Sequence, residues 1–166
     1  MKRIVIVLLW CSQLLVAQHQ TAPSEWKKNS KSIESLTQDG AIRGLLYANE
    51  LADAMHKKIA VVFLDVSGSP ILMTIGTGVG PHNLEAARRK AYTALSTKTA
   101  TLDLARNAKA NPDTENLNTL PELLLLGGGV PIRVNATIIG SVGIAGAGGA
   151  VEDDAIAKQI VTLFSL

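Results

Sequence analysis

A chain of 166 residues can bury the core of one domain but is too short for two ordinary ones. Apolar residues make up 47% and charged residues 18%, which excludes a disordered polyampholyte, and a formal charge of +2 offers no basic surface for a polyanion. A nucleic-acid partner is therefore not expected.

The chain opens on Met1-Lys2-Arg3, is apolar over 4–9 and 14–17, and turns polar at Gln18-His19-Gln20. A basic start, a short apolar run and a closing small residue describe a secretory signal peptide over 1–17, cut after Ala17. The run is too short for a membrane span, which needs roughly 20 apolar residues. Cys11 would serve as a lipid-anchored cysteine only behind a small residue, and Trp10 stands there. Without the signal the mature chain has no cysteine, hence no disulfide, thiolate metal site or cysteine nucleophile. Export to the periplasm or beyond the cell is the expectation.

Residues 18–38 are polar and irregular and read as a flexible leader, with the folded domain over 39–166. Ala41, Leu45, Ala48, Ala52 and Met55 repeat at steps of four and three, predicting a helix that ends near Lys58. His56, in its last turn beside Lys57 and Lys58, reads as a solvated structural residue. Residues 59–65 and 71–75 are two apolar strands around a Ser-Gly turn, a hairpin in which Met73 is expected in the core.

The glycine-rich stretch 76–81 leads into a second helix with Leu84, Ala87, Ala91, Ala94 and Leu95 on one face, Asn83 as N-cap and Glu85 at its positive end. Arg88-Arg89-Lys90 would form a solvated basic face, except that Lys90 precedes Ala91 closely enough to turn its stem inward. Residues 107–119 read as a loop or short helical turn. Three apolar runs at 123–126, 130–134 and 137–144 read as further strands, with a hairpin at Asn135, and a last helix over 151–164 turns Ile156, Ile160, Leu163 and Phe164 inward. The order gives an α+β fold: an antiparallel sheet with helices packed against it.

Familiar catalytic patterns are missing from the sequence. No Gly-x-Ser-x-Gly elbow supports a serine triad. The glycines at 140, 143 and 146 follow a strand, but no Gly-Lys-Ser/Thr follows and the chain closes at Leu166 without the returning strand of a dinucleotide fold, so they read as packing glycines. His56 and His82 are the only histidines of the folded region, and neither has a partner at a zinc-ligand spacing. His82 stands out because it closes a glycine-rich loop, where ligand-contacting side chains are commonly presented.

Four blocks in order carry a family resemblance: Val61-Val62-Phe63-Leu64-Asp65-Val66-Ser67-Gly68; Ala87-Arg88-Arg89-Lys90-Ala91-Tyr92-Thr93-Ala94; Gly128-Gly129-Val130-Pro131-Ile132; and Ile139-Gly140-Ser141-Val142-Gly143-Ile144-Ala145-Gly146, with Asp153-Asp154 beyond. From about Leu51 to Phe164 the chain resembles the GlcG/HbpS family of haem-binding proteins, which includes the C-terminal domain of PduO. The resemblance implies a profilin-like sheet flanked by helices, assembly into homo-oligomers, and haem or iron binding, with haem degradation in some members. Where the family often shows Arg-Met-Asp-Gly after the second strand, this chain has Met73-Thr74-Ile75-Gly76-Thr77-Gly78, so the acidic residue is missing and Pro81-His82-Asn83 offers another ligand nearby.

The reading that results is haem held against a strand edge and glycine-rich loops, with His82 as iron ligand and Asn83 beside it. Lys90 or Arg89 would pair with propionates, and Tyr92 and Thr93 are further contacts. With aromatics at only 4%, the site is expected to be exposed and open to a second subunit. The alternatives are an enzyme, degrading haem or acting on a small acid, and a ligand-free oligomeric scaffold.

Overall fold

Strand β1 (Ala60–Asp65) is buried from Ala60 to Leu64 without alternation, as expected of a strand covered on both faces. It lies inside a four-stranded antiparallel sheet of order β2-β1-β4-β3, with β2 (Pro70–Ile75) and β3 (Gly129–Val134) at the edges and β4 (Thr137–Ala145) beside β1. The computed structural model describes residues 29–165, so the expected signal peptide and most of the leader lie outside the described residues. Among the described residues, 34–165 form one compact unit.

Helices α1 (Gln38–Ala54) and α5 (Ala150–Val161) cover one face of the sheet, where Ala41, Ala48, Ala52, Ile156 and Ile160 pack against Val61, Phe63, Val142 and Ile144. Helix α2 (His82–Thr97) covers the other, through Ala87 and Ala91 against Ala60, Val62, Leu64 and Ala145. The result is the α+β architecture expected from the element order. Among the described residues no helix is long and apolar enough to cross a membrane.

The closeness of α2 to the sheet follows from small side chains. A Cβ on Gly143 would collide with the carbonyl oxygen of Ala87, and one on Gly129 with that of Lys90, so the helix backbone rests almost directly on β3 and β4. Both hairpin turns use local chemistry. The Asp65 carboxylate accepts from the N–H groups of Ser67 (2.8 Å) and Ser69 (2.9 Å) and from the Ser67 hydroxyl (2.6 Å). Asn135 takes the left-handed conformation, φ 53°, that its two-residue turn requires.

Several sequence expectations are corrected. Helix α1 stops at Ala54 rather than near Lys58: His56 adopts φ 54° just beyond it, while the N–H of Lys57 returns to Ala52 (2.8 Å) and that of His56 to Asp53 (2.9 Å), a Schellman closure with histidine in the usual glycine position. Part of 107–119 belongs to a helix that the sequence reading missed, α3 (Thr101–Ala110), which buries Thr101, Leu104 and Ala108; α4 (Pro112–Glu115) and a 3-10 turn (Asn116–Thr119) follow. Residues 123–126 are not a strand, because the hydroxyls of Thr93 and Thr101 satisfy their backbone: the Leu124 N–H donates to Thr93 (2.8 Å) and Thr101 donates to the Leu126 carbonyl (2.7 Å).

Met73, expected in the core, is 40% exposed because β2 is an edge strand that α2 leaves partly uncovered. Leu163 is also exposed, on the 3-10 turn (Thr162–Phe164) that replaces the last turn of the expected helix. Leu36, assigned to the leader, is buried, and its N–H donates to the Ile139 carbonyl at 2.7 Å.

Candidate functional site

The candidate residues sit on α2, and the helix sorts them onto different surfaces. At its start, Gly76 donates to the Ile59 carbonyl (2.9 Å), closing the end of β2, and the loop turns at Gly78, φ 83°. Pro81 occupies the N-cap position without a side-chain cap, in place of the expected Asn83. Asn83 lies instead in the first turn, where both its backbone N–H and its side-chain amide donate to the Gly80 carbonyl, each at 3.0 Å. His82 is exposed at the head of the helix, and its ring folds back over Gly80: a Cβ there would stand 3.0 Å from Cε1 and 3.2 Å from Nδ1.

Arg89 lies seven residues on, about two turns or roughly 10 Å along the axis on the same helix face as His82. Its guanidinium donates to the carbonyls of Pro121 (2.6 Å) and Leu123 (2.7 Å), and its Nε is buried without a hydrogen-bond partner. Thr93 is fully buried; its hydroxyl donates to the Arg89 backbone carbonyl (2.7 Å) and accepts from the Leu124 N–H. Arg88, beside them, forms a fork with Glu85 and reaches Glu122 at 2.8 Å. The bond from Arg88 is the main reason the Glu85 carboxyl lies below its usual range.

Lys90 does turn inward, further than its neighbours suggest. It is 1% exposed; its ammonium meets Asp153 at 2.7 Å and the Ile144 carbonyl at 3.0 Å, while the other carboxylate oxygen of Asp153 accepts from the Ala147 N–H at 2.8 Å. Burial pushes the Asp153 carboxyl up, against the downward pull of the Lys90 charge and hydrogen bond. In this arrangement the Lys90 ammonium is not presented to a surface ligand. Tyr92 is half-buried and lines a cleft near the far end of α2.

The structure thus brings His82 and Asn83 together at one end of α2, aligns Arg89 with them, and separates Lys90, Thr93 and Tyr92 from them. It adds Met73 and Ile75, 40% and 38% exposed. They pair with Val62 and Ala60, so they share the α2-facing side of the sheet, and Ile75 leads directly into the loop that ends at His82. Their apolar character was visible in sequence, but their exposure depends on β2 being an edge. Asp153 was visible beyond the last of the blocks that carry the family resemblance, without a sign that its partner lay on α2.

An exposed imidazole at the end of the loop that follows an edge strand with exposed apolar side chains suits haem, whose iron commonly takes a histidine and whose ring needs apolar contact. The sequence matches the model of the family described as haem degrading protein HbpS-like over residues 36–162. The chain belongs to the HbpS-like family. Among solved structures, HbpS is similar at 28% identity and a TM-score of 0.76, with 82% of this chain and 94% of that one covered. A double mutant of Streptomyces reticuli HbpS is similar at 26% identity and a TM-score of 0.76, covering 87% and 94%. The PduOC:Heme complex shares the fold, with 23% identity, a TM-score of 0.68 and coverage of 77% and 94%. No match is found among curated proteins. Membership of the HbpS-like family agrees with the profilin-like α+β fold implied by the sequence blocks.

Proposed function

We propose that this HbpS-like chain is an exported protein that binds haem on an open surface at the start of α2, rimmed by Gly76, Gly78 and Gly80. The observation that carries the reading is the exposed His82 ring, folded over Gly80 at the end of the β2 edge where Met73 and Ile75 leave apolar surface uncovered. His82 would hold the iron through neutral imidazole, and Asn83 would steady the loop through Gly80. The positive N-terminal end of α2 is the feature available to propionates, since the Arg89 guanidinium already donates to the Pro121 and Leu123 carbonyls. When bound, haem would supply redox-active iron.

Few aromatics and an uncovered strand edge favour a site completed by a second copy of the chain, so a homo-oligomer is part of the proposal. Haemin titration of the mature protein, followed by the Soret band, is expected to saturate, and His82→Ala to lose the ligated spectrum. An unchanged spectrum in the variant removes His82 from the site, and no saturation in the parent protein rejects haem. The family description favours a second reading, oxidative haem degradation. Loss of the bound Soret band under reductant and oxygen with one defined tetrapyrrole product would establish it; a stable spectrum would reject it.

A further inference from the structure

Beyond α2, at the end opposite His82, the chain forms a cleft of about 460 Å³ between the β1–β2 turn, the end of the helix and the β3–β4 hairpin. We propose that this cleft is a second, separate site, for a small carboxylate with a short apolar body. Its size lies within the range of small-ligand pockets, roughly 300–1,000 Å³.

The charge arrangement selects the ligand class. Lys98 and Arg133 both line the cleft, no acidic residue does, and among the described residues neither cation has a carboxylate partner within 4.0 Å. Arg133 lies on β3 just past the irregularity between Ile132 and Arg133, and one of its N–H groups donates to the Lys98 carbonyl at 2.9 Å. That bond fixes the guanidinium at the mouth and leaves the rest of its planar fork for an oxyanion.

The bond also caps the carbonyl end of α2. A helix C-terminus carries a partial charge of only about −0.5, which two full positive charges outweigh. Lys98 itself turns out of the helix at φ 58°, so its side chain leaves the helix face and joins the cleft.

The remaining lining is amphipathic. The side chains of Ser96 and Tyr92 supply hydroxyls, that of Ser67 already donating to Asp65, whereas Leu95 and Ile138 supply apolar wall. A carboxylate on the cations with its hydrocarbon body against that wall meets both; an inorganic anion would leave the wall unused, and a neutral apolar molecule would leave the cations unpaired. From His82 to Lys98 is sixteen helical steps, roughly 24 Å, so one small ligand cannot span both ends of α2.

Benzoate is the probe, with benzamide as its neutral isostere, titrated calorimetrically into the mature protein at low salt. Saturable benzoate binding at least tenfold tighter than benzamide is expected. The Lys98→Gln/Arg133→Gln variant should lose at least tenfold in benzoate affinity while its haemin titration stays as in the parent. Lys98→Gln alone, which leaves the Arg133 cap intact, should lose part of it, and this guards against a double variant that folds poorly. His82→Ala should bind benzoate as the parent does. No saturation, equal affinity for benzamide, full benzoate affinity in the double variant, or loss of benzoate binding in His82→Ala would each overturn the proposal. The haemin arm fails or succeeds independently of these results.

Discussion

The Lys90 ammonium and the Asp153 carboxylate, both buried and 2.7 Å apart, show how far inward a side chain can go whose stem the sequence already allowed to turn toward the core. Removing one partner strands a charge in a dry interior, so Asp153→Ala is expected to lower the unfolding free energy by about 3–5 kcal/mol in urea denaturation. Lys90→Met combined with Asp153→Leu should recover most of that loss, because an apolar pair needs no compensating charge. A second residue-scale effect concerns acid. Burial pushes the Asp65 carboxyl up, but hydrogen bonds from the Ser67 hydroxyl and the backbone N–H groups of Ser69, Ser67 and Gly68 outweigh it and hold the pKa below its ordinary 3.8. A depressed carboxyl contributes stability above its unfolded value and loses it as pH falls through the folded one. Asp153, pushed up, has the opposite sign and lowers stability as pH rises through its folded value. Asp65→Asn should therefore flatten the loss of stability below about pH 4, seen as a smaller drop in melting temperature from pH 4 to pH 2 than in the parent.

At the scale of elements, α2 is positioned by what the sheet lacks. Gly129 and Gly143 present no side chain to it, so the helix descends until its own backbone carbonyls, at Lys90 and Ala87, meet the strands. Gly143→Ala should force the layers apart and destabilise the fold by about 2 kcal/mol or more, measurable by urea denaturation; a neutral result would mean that the helix can shift without loss of packing. The same descent carries Lys90 below the surface to Asp153 and brings Thr93 and Arg89 within reach of the backbone at 121–124. Residues 123–126 have the composition of a strand, yet threonine hydroxyls take the hydrogen-bonding roles that a neighbouring strand would have taken.

At the scale of the whole molecule, helices on both faces bury β1 and β4, while the outer strands keep open edges. On β2 that edge leaves Met73 and Ile75 uncovered beside the loop leading to His82. Met73→Ser/Ile75→Ser should weaken haemin binding several-fold with little change in melting temperature, since the substituted side chains are already partly exposed. Equal haemin affinity in the variant would move the porphyrin to another surface.

Periodicity in the sequence determined α1, α2, α5 and the two hairpins, because spacing of apolar residues and turn chemistry at Ser67-Gly68 and Asn135 are local properties. The blocks from Val61 to Gly146 likewise sufficed for the family, and His82 was legible as the histidine closing a glycine-rich loop. Helix α3 carried a weaker signal, Thr101, Leu104 and Ala108 alone, and its apolar stripe is too thin to distinguish from a polar loop. Tertiary structure alone decided that β2 is an edge, that Lys90 pairs with a carboxylate 63 residues away, and that Lys98 and Arg133 meet across one cleft. Each depends on which distant segments the fold brings together, and residue spacing along one chain carries no record of that.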